Sequence, residues 1–125
     1  MRGDDIHNNI GFLKRDLDIK NGAEESICEF PYPNSPGFAD LGSKFNGKWH
    51  CTEVVFNCTS NICTHATHCF INADGQVESL TIVTLLKSEH KKILGMVMSV
   101  PELVFFISRI KFMTLDEIIK GLYEK

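Results

Sequence analysis

Two dipeptides, Asn46-Gly47 and Asp74-Gly75, constrain the fold more than any other feature of this chain. Both residues of such a pair tolerate positive φ, as tight hairpin turns require, and each pair is flanked by sequence rich in Val, Ile, Thr, Phe and Trp. The pattern predicts three strands, 48–57, 62–73 and 76–86, joined as an antiparallel meander. In the last of these, Leu80, Ile82 and Leu86 lie on one face and Val77, Val83 and Leu85 on the other, so both faces of the strand are expected to be covered.

The pattern changes on either side of this centre. Residues 1–47 read as an irregular segment with one short helix over 8–18, where Ile10, Leu13 and Leu17 recur at helical spacing. Pro31, Pro33 and Pro36 exclude helix or central strand and make Phe30–Gly37 an extended strap. Downstream, Ser99-Val100-Pro101-Glu102 and Thr114-Leu115-Asp116-Glu117 have the form of capping boxes, each opening a helix. Leu103, Phe106, Ile107 and Ile110 would be the apolar face of the first, and Leu115, Ile118, Ile119 and Leu122 that of the second. Residues 91–98 fit either a fourth strand or a helix start. The expected fold class is α+β in a single domain over 1–125: a three- or four-stranded antiparallel meander over 48–86, packed against a C-terminal helical hairpin over 99–124.

Charge narrows the function classes. The net charge is −3, and residues 50–75 carry only Glu53 and Asp74, so the middle of the chain should be buried. Nucleic-acid binding needs a basic stripe; Lys87, Lys91 and Lys92 beside His90 read instead as a solvated run. A helix-turn-helix reading of the last two helices fails because Asp116 and Glu117 would meet phosphates. No apolar run is long enough to span a bilayer, and Met1–Asp5 lacks a signal-type apolar region, so a soluble, untargeted chain is expected. Arg2-Gly3-Asp4 is treated as a chance tripeptide.

The chemistry-bearing residues crowd into one window, His50, Cys51, Cys58, Cys63, His65, His68 and Cys69. Zinc could be held by Cys58, Cys63 and His65 with a fourth ligand such as Cys28. On a strand, however, His68 faces away and Cys69 lies roughly 20 Å from Cys63. Nested disulfides, Cys58 with Cys63 and Cys51 with Cys69, would need a bulge and leave Cys28 over. Asn57-Cys58-Thr59 is a glycosylation sequon that matters only in a secreted chain. The simplest reading is packing, with cysteines as small buried hydrophobes. A nucleophile from Cys58 or Cys63 with His65 or His68 lacks a glycine elbow and an orienting partner, and His65-Ala66-Thr67 lacks the second copy that two-histidine phosphoester chemistry needs. Phosphate-cradling and dinucleotide loops are absent from the sequence as well.

Function is therefore expected to be that of a small non-enzymatic protein-interaction module: an accessory subunit, inhibitor or immunity-type partner. Its surface would be the strap aromatics Phe30, Tyr32 and Phe38 beside Glu25 and Glu29, favouring a basic protein partner and neither nucleic acid nor membrane. No cofactor is expected. The alternative is a metal-binding or redox-sensing domain using Cys58, Cys63 and His65, and a Cys-His hydrolase comes third. The odd cysteine favours a cytoplasmic home, with an extracytoplasmic one if the cysteines are paired.

Overall fold

The computed structural model describes residues 5–56, 61–73 and 75–124. In chain order it forms α1 (Asp5–Lys20), β1 (Glu25–Pro31), β2 (Phe38–Phe45), β3 (Lys48–Val54), α2 (Asn61–Thr67) running into a π-helical turn (His68–Asn72), β4 (Val77–Thr84), α3 (Ser88–Met98), a 3-10 segment (Pro101–Arg109), β5 (Ile110–Thr114) and α4 (Leu115–Tyr123). The fold class is α+β, and the strands make one five-stranded sheet in the order β1-β2-β3-β4-β5. The sheet is mixed. β1, β2 and β3 pair antiparallel, whereas β3–β4 and β4–β5 are parallel.

The Asn46-Gly47 turn forms as its residues require, with φ of 52° and 77°, and joins β2 to β3. The second turn does not close a hairpin. Asp74 lies outside the described residues, and the segment expected as the middle strand, 62–73, is helical instead. Its apolar residues explain why: Ile62, Ala66, Cys69, Phe70 and Ala73 recur at helical spacing, and all five are buried. That segment becomes a crossover, which lets β4 return beside β3 in the parallel sense.

The N-terminal third is not irregular. It supplies α1 and the two strands β1 and β2, with Pro31 at the end of an edge strand where a missing N–H is tolerated. β2 reads Phe-Ala-Asp-Leu-Gly-Ser-Lys-Phe, poor in β-branched residues. Its Gly42 is required by packing: the Phe30 ring occupies the space, and a Cβ would lie 2.3 Å from Phe30 Cγ.

The expected C-terminal helical hairpin is also replaced. Ser99 does not open a helix; its hydroxyl donates to the Met96 carbonyl at the end of α3. Residues 101–109 wind as a 3-10 segment and then straighten into β5. The second capping box is present: Thr114 Oγ1 accepts the Glu117 amide at 3.2 Å, and Glu117 Oε1 accepts the Thr114 amide at 3.0 Å. At the other end of α4, Lys20 Nζ donates to the carbonyls of Gly121 and Leu122, tying α4 to α1.

The sheet is covered on both faces. On one, Cys51, Leu80, Ile82 and Ile110 meet Ile62, Phe70, Ile93, Val97 and Leu103 from α2, the π turn, α3 and the 3-10 segment. On the other, Val54 and Val83 meet Ile10, Leu17 and Ile118 from α1 and α4. The sheet thus divides the apolar residues into two cores, with Leu80, Ile82, Leu103 and Ile110 in one and Val83 and Ile118 in the other, and Ile107 and Ile119 are exposed.

Leu103 is fully buried while Ile107 is 49 % exposed. Leu103→Ala should therefore cost about 2–5 kcal/mol in urea unfolding, and Ile107→Ala no more than about 0.5 kcal/mol. Equal midpoint shifts for the two variants would contradict this placement of the 3-10 segment. Thr114→Ala should lower stability by about 0.5–2 kcal/mol, because the first turn of α4 loses its cap.

Candidate functional site: two buried carboxylates at the open end of the β2–β3 ladder

The β2–β3 ladder runs from Phe45 and Lys48 up to Leu41 and Thr52, and there it stops. One step further the strands are joined by side chains. The Asp40 amide donates to Glu53 Oε1 at 2.8 Å, and the Val54 amide donates to Asp40 Oδ2 at 2.7 Å. Each carboxylate thus takes a backbone N–H of the opposite strand. Both are buried, with side chains only 4 % exposed.

A histidine stands beside each acid. From α1, His7 Nε2 lies 3.2 Å from Asp40 Oδ2 and 3.1 Å from the Val54 carbonyl oxygen. A carbonyl only accepts, so Nε2 carries the proton and the two oxygens converge on one N–H. From α2, His65 Nδ1 lies 3.1 Å from Glu53 Oε2 and 3.2 Å from the Tyr32 hydroxyl. Burial, followed by the Glu53 charge, pushes the Tyr32 phenol far above its ordinary value, so it keeps its proton. The Tyr32 ring also stacks on His68, whose Nδ1 meets the Ser35 hydroxyl and the Asn72 amide. A pocket of about 140 Å³, lined by His7, Asn8, Gly11, Phe12, Cys28, Glu29 and Asp40, opens between α1 and β1 and reaches the Asp40 side of the cluster.

The location follows from topology. Glu53 is at the carboxyl end of β3, the first strand of the parallel half of the sheet, and ligands of mixed and parallel sheets gather outside those ends. Each of the two buried carboxylates is held by an amide of the opposite strand and meets a histidine, Asp40 that of α1 and Glu53 that of α2. They suit proton transfer or a hard cation.

The residues singled out from sequence are distributed differently. Phe30 and Tyr32 are buried in the core, while Phe38, Glu25 and Glu29 are exposed. Of the alternative metal set, Cys58 lies outside the described residues, Cys63 donates to the Met96 carbonyl, and His65 turns to Glu53. The strand argument that set His68 and His65 on opposite faces does not hold: both lie on the helical crossover, and both rings meet Tyr32. Among the described residues no three His, Cys, Asp or Glu side chains are grouped to hold a metal ion. Among the described residues Cys28, Cys51 and Cys69 form no disulfide. Cys51 and Cys69 do meet, as hydrogen-bonded thiols. Burial, reinforced by Cys51, pushes the Cys69 thiol far above its ordinary value, and burial raises Cys28 too, so neither resembles a reactive thiolate.

His7, Asp40 and Glu53 were not singled out as a site from sequence. The available signal was Glu53 itself, the one acid in an otherwise uncharged strand-like run from His50 to Ala73.

No family model matches the chain, and no curated protein does. Among solved structures, a crystal structure described as a protein of unknown function, AF1548, is similar with a TM-score of 0.60 and 16 % identity. The match covers 96 % of this chain and 66 % of that one, so the chain spans a little under two thirds of its structural neighbour. At that identity the likeness concerns the fold. No helix among the described residues is long and apolar enough to cross a membrane.

Glu53→Ala should cost about 1–3 kcal/mol in chemical denaturation, because the Asp40 amide loses its buried acceptor. Glu53→Gln keeps an oxygen for that amide and should cost clearly less. An unchanged midpoint in Glu53→Ala would mean that the carboxylate does not hold the strands together.

Proposed function

We propose that the protein is a hydrolase for phosphate esters that works with a divalent cation held by Asp40 and Glu53. The observation that supports this most is the pair of buried carboxylates at the open end of the β2–β3 ladder, where Asp40 Oδ2 and the Val54 carbonyl oxygen converge on one donor, the His7 N–H. Magnesium-like ions prefer one or two carboxylates, retain waters and complete their shell with substrate phosphate oxygens, so a third side-chain ligand is not needed. The cation would polarise the phosphoryl group and lower the pKa of a bound water. His65 would serve as the base. Glu53 fixes its ring through Nδ1, so Nε2 is the nitrogen that takes the proton from the attacking water.

Recognition of a basic protein through the N-terminal strap has less support, because Phe30 and Tyr32 are spent on the core and leave Phe38 as the exposed aromatic. The redox reading has less still, given the raised thiols of Cys28 and Cys69.

Manganese titration by calorimetry, combined with hydrolysis of bis(4-nitrophenyl) phosphate, tests the proposal. The wild type should bind manganese and hydrolyse the ester only with the metal present. Asp40→Asn should lose both, whereas His65→Gln should keep metal binding and lose hydrolysis. Absence of manganese binding, or activity unchanged in Asp40→Asn, would overturn it.

A further inference from the structure

The sheet carries a second feature that the carboxylate site does not use. A cleft of about 510 Å³ opens on the face that carries α1 and α4, within the range of small-molecule sites. Its floor is the sheet itself, with His50 and Thr52 from β3, Ser79 and Thr81 from β4, and Lys111 from β5. Central parallel strands are ordinarily apolar on both faces, and on this face they become so only further along, at Val54 and Val83. A row of hydroxyls on a central sheet is costly unless it is hydrogen-bonded or meets a polar occupant.

Part of this polar set is internally satisfied. Lys14 Nζ pairs with Asp18 Oδ1 at 2.6 Å, the Ser43 hydroxyl donates to Asp18 Oδ2 at 2.7 Å, and His50 Nδ1 lies 2.6 Å from the Ser79 hydroxyl. Burial holds His50 below its ordinary value, so the cleft's positive charge comes from its lysines. Lys48 makes only a solvent-exposed contact to Glu78, 3.4 Å away, and Glu78 is shared with Arg109. Lys111 makes no ion pair among the described residues. The wall is shaped by a register shift: Trp49 pairs with Val77 but His50 with Ser79, which bulges Glu78 out at the rim.

We infer that this cleft binds a small phosphorylated, hydroxyl-bearing molecule, its phosphate between Lys48 and Lys111 and its hydroxyl groups towards Thr81. Two exposed ammonium groups neutralise a phosphate dianion as point charges, and the partly exposed Thr81 hydroxyl can both give and accept a hydrogen bond to a polyol. The cleft does not include Asp40 or Glu53, and Lys48 and Lys111 are its exposed charges.

Calorimetric titration with ribose 5-phosphate and with ribose decides the matter. Ribose 5-phosphate should bind saturably at millimolar concentration or below, and ribose should not. Lys111 is exposed, so Lys111→Glu should keep the wild-type unfolding midpoint and weaken binding by at least about tenfold. Lys48→Glu, at a second exposed position, should do the same, while Lys91→Glu on α3 should leave the affinity unchanged. No saturable binding of ribose 5-phosphate, equal binding of ribose, or wild-type affinity in Lys111→Glu would each overturn the inference.

Discussion

The parallel pairing of β3 with β4 determines most of what surrounds it. Strands that run side by side in one direction cannot be joined by a tight turn, so the chain must travel from the carboxyl end of β3 back to the amino end of β4. Where it is described, that return is helical, and it lays Ile62, Ala66, Cys69 and Phe70 over the sheet. The same path fixes the chemistry. It brings His65 to Glu53 and Cys69 to Cys51, contacts that an antiparallel hairpin would have made between strand neighbours instead.

At the carboxyl end of β3 the sheet replaces backbone pairing with side-chain pairing. A carboxylate taken out of water is costly unless charge-assisted hydrogen bonds compensate it, and the amides of Asp40 and Val54 do so on opposite strands. The contrast with Asp18 is informative. That buried acid meets a lysine at 2.6 Å and a serine hydroxyl, a closed arrangement with no need of an outside group. Asp40 and Glu53 face histidines, whose charge is adjustable and whose nitrogens both give and take protons. The first arrangement is closed by a fixed charge; the second sets a titratable ring beside each acid.

Much of the frame was legible in the sequence. Asn46-Gly47, the strands at 48 and 77, the helix on Ile10, Leu13 and Leu17, and the Thr114 cap all follow from local rules, and each is present. The errors came where local signals were ambiguous. Ile62 to Ala73 combines β-branched and aromatic residues with a buried pattern of helical period, and composition was weighed above period. β2 was missed because Gly42 and Ala39 are dictated by the Phe30 ring and by complete burial, constraints that belong to tertiary packing and not to strand propensity. Residues 101–109 are apolar enough for a helix, but pairing of Ile110–Thr114 with β4 leaves a 3-10 segment and a strand. The candidate site was the least legible part, since Asp40 and Glu53 are thirteen residues apart in sequence and meet only through antiparallel register.

That register also accounts for the one irregularity beside the site. In the β1–β2 ladder Cys28 pairs with Leu41 and Phe30 with Ala39, and Glu29, opposite Asp40, takes a φ of 54°. A non-glycine residue in this region costs on the order of 1–3 kcal/mol. The Asp40 amide is turned towards β3, where Glu53 accepts it, so it offers no ladder bond to β1 at this position. Glu29 can leave the strand conformation there without breaking that bond, and its departure helps to line the pocket that reaches Asp40. The open end of the β2–β3 ladder and the distortion of β1 therefore share one origin: Asp40 is committed to the strand on its far side, and the edge strand yields around it.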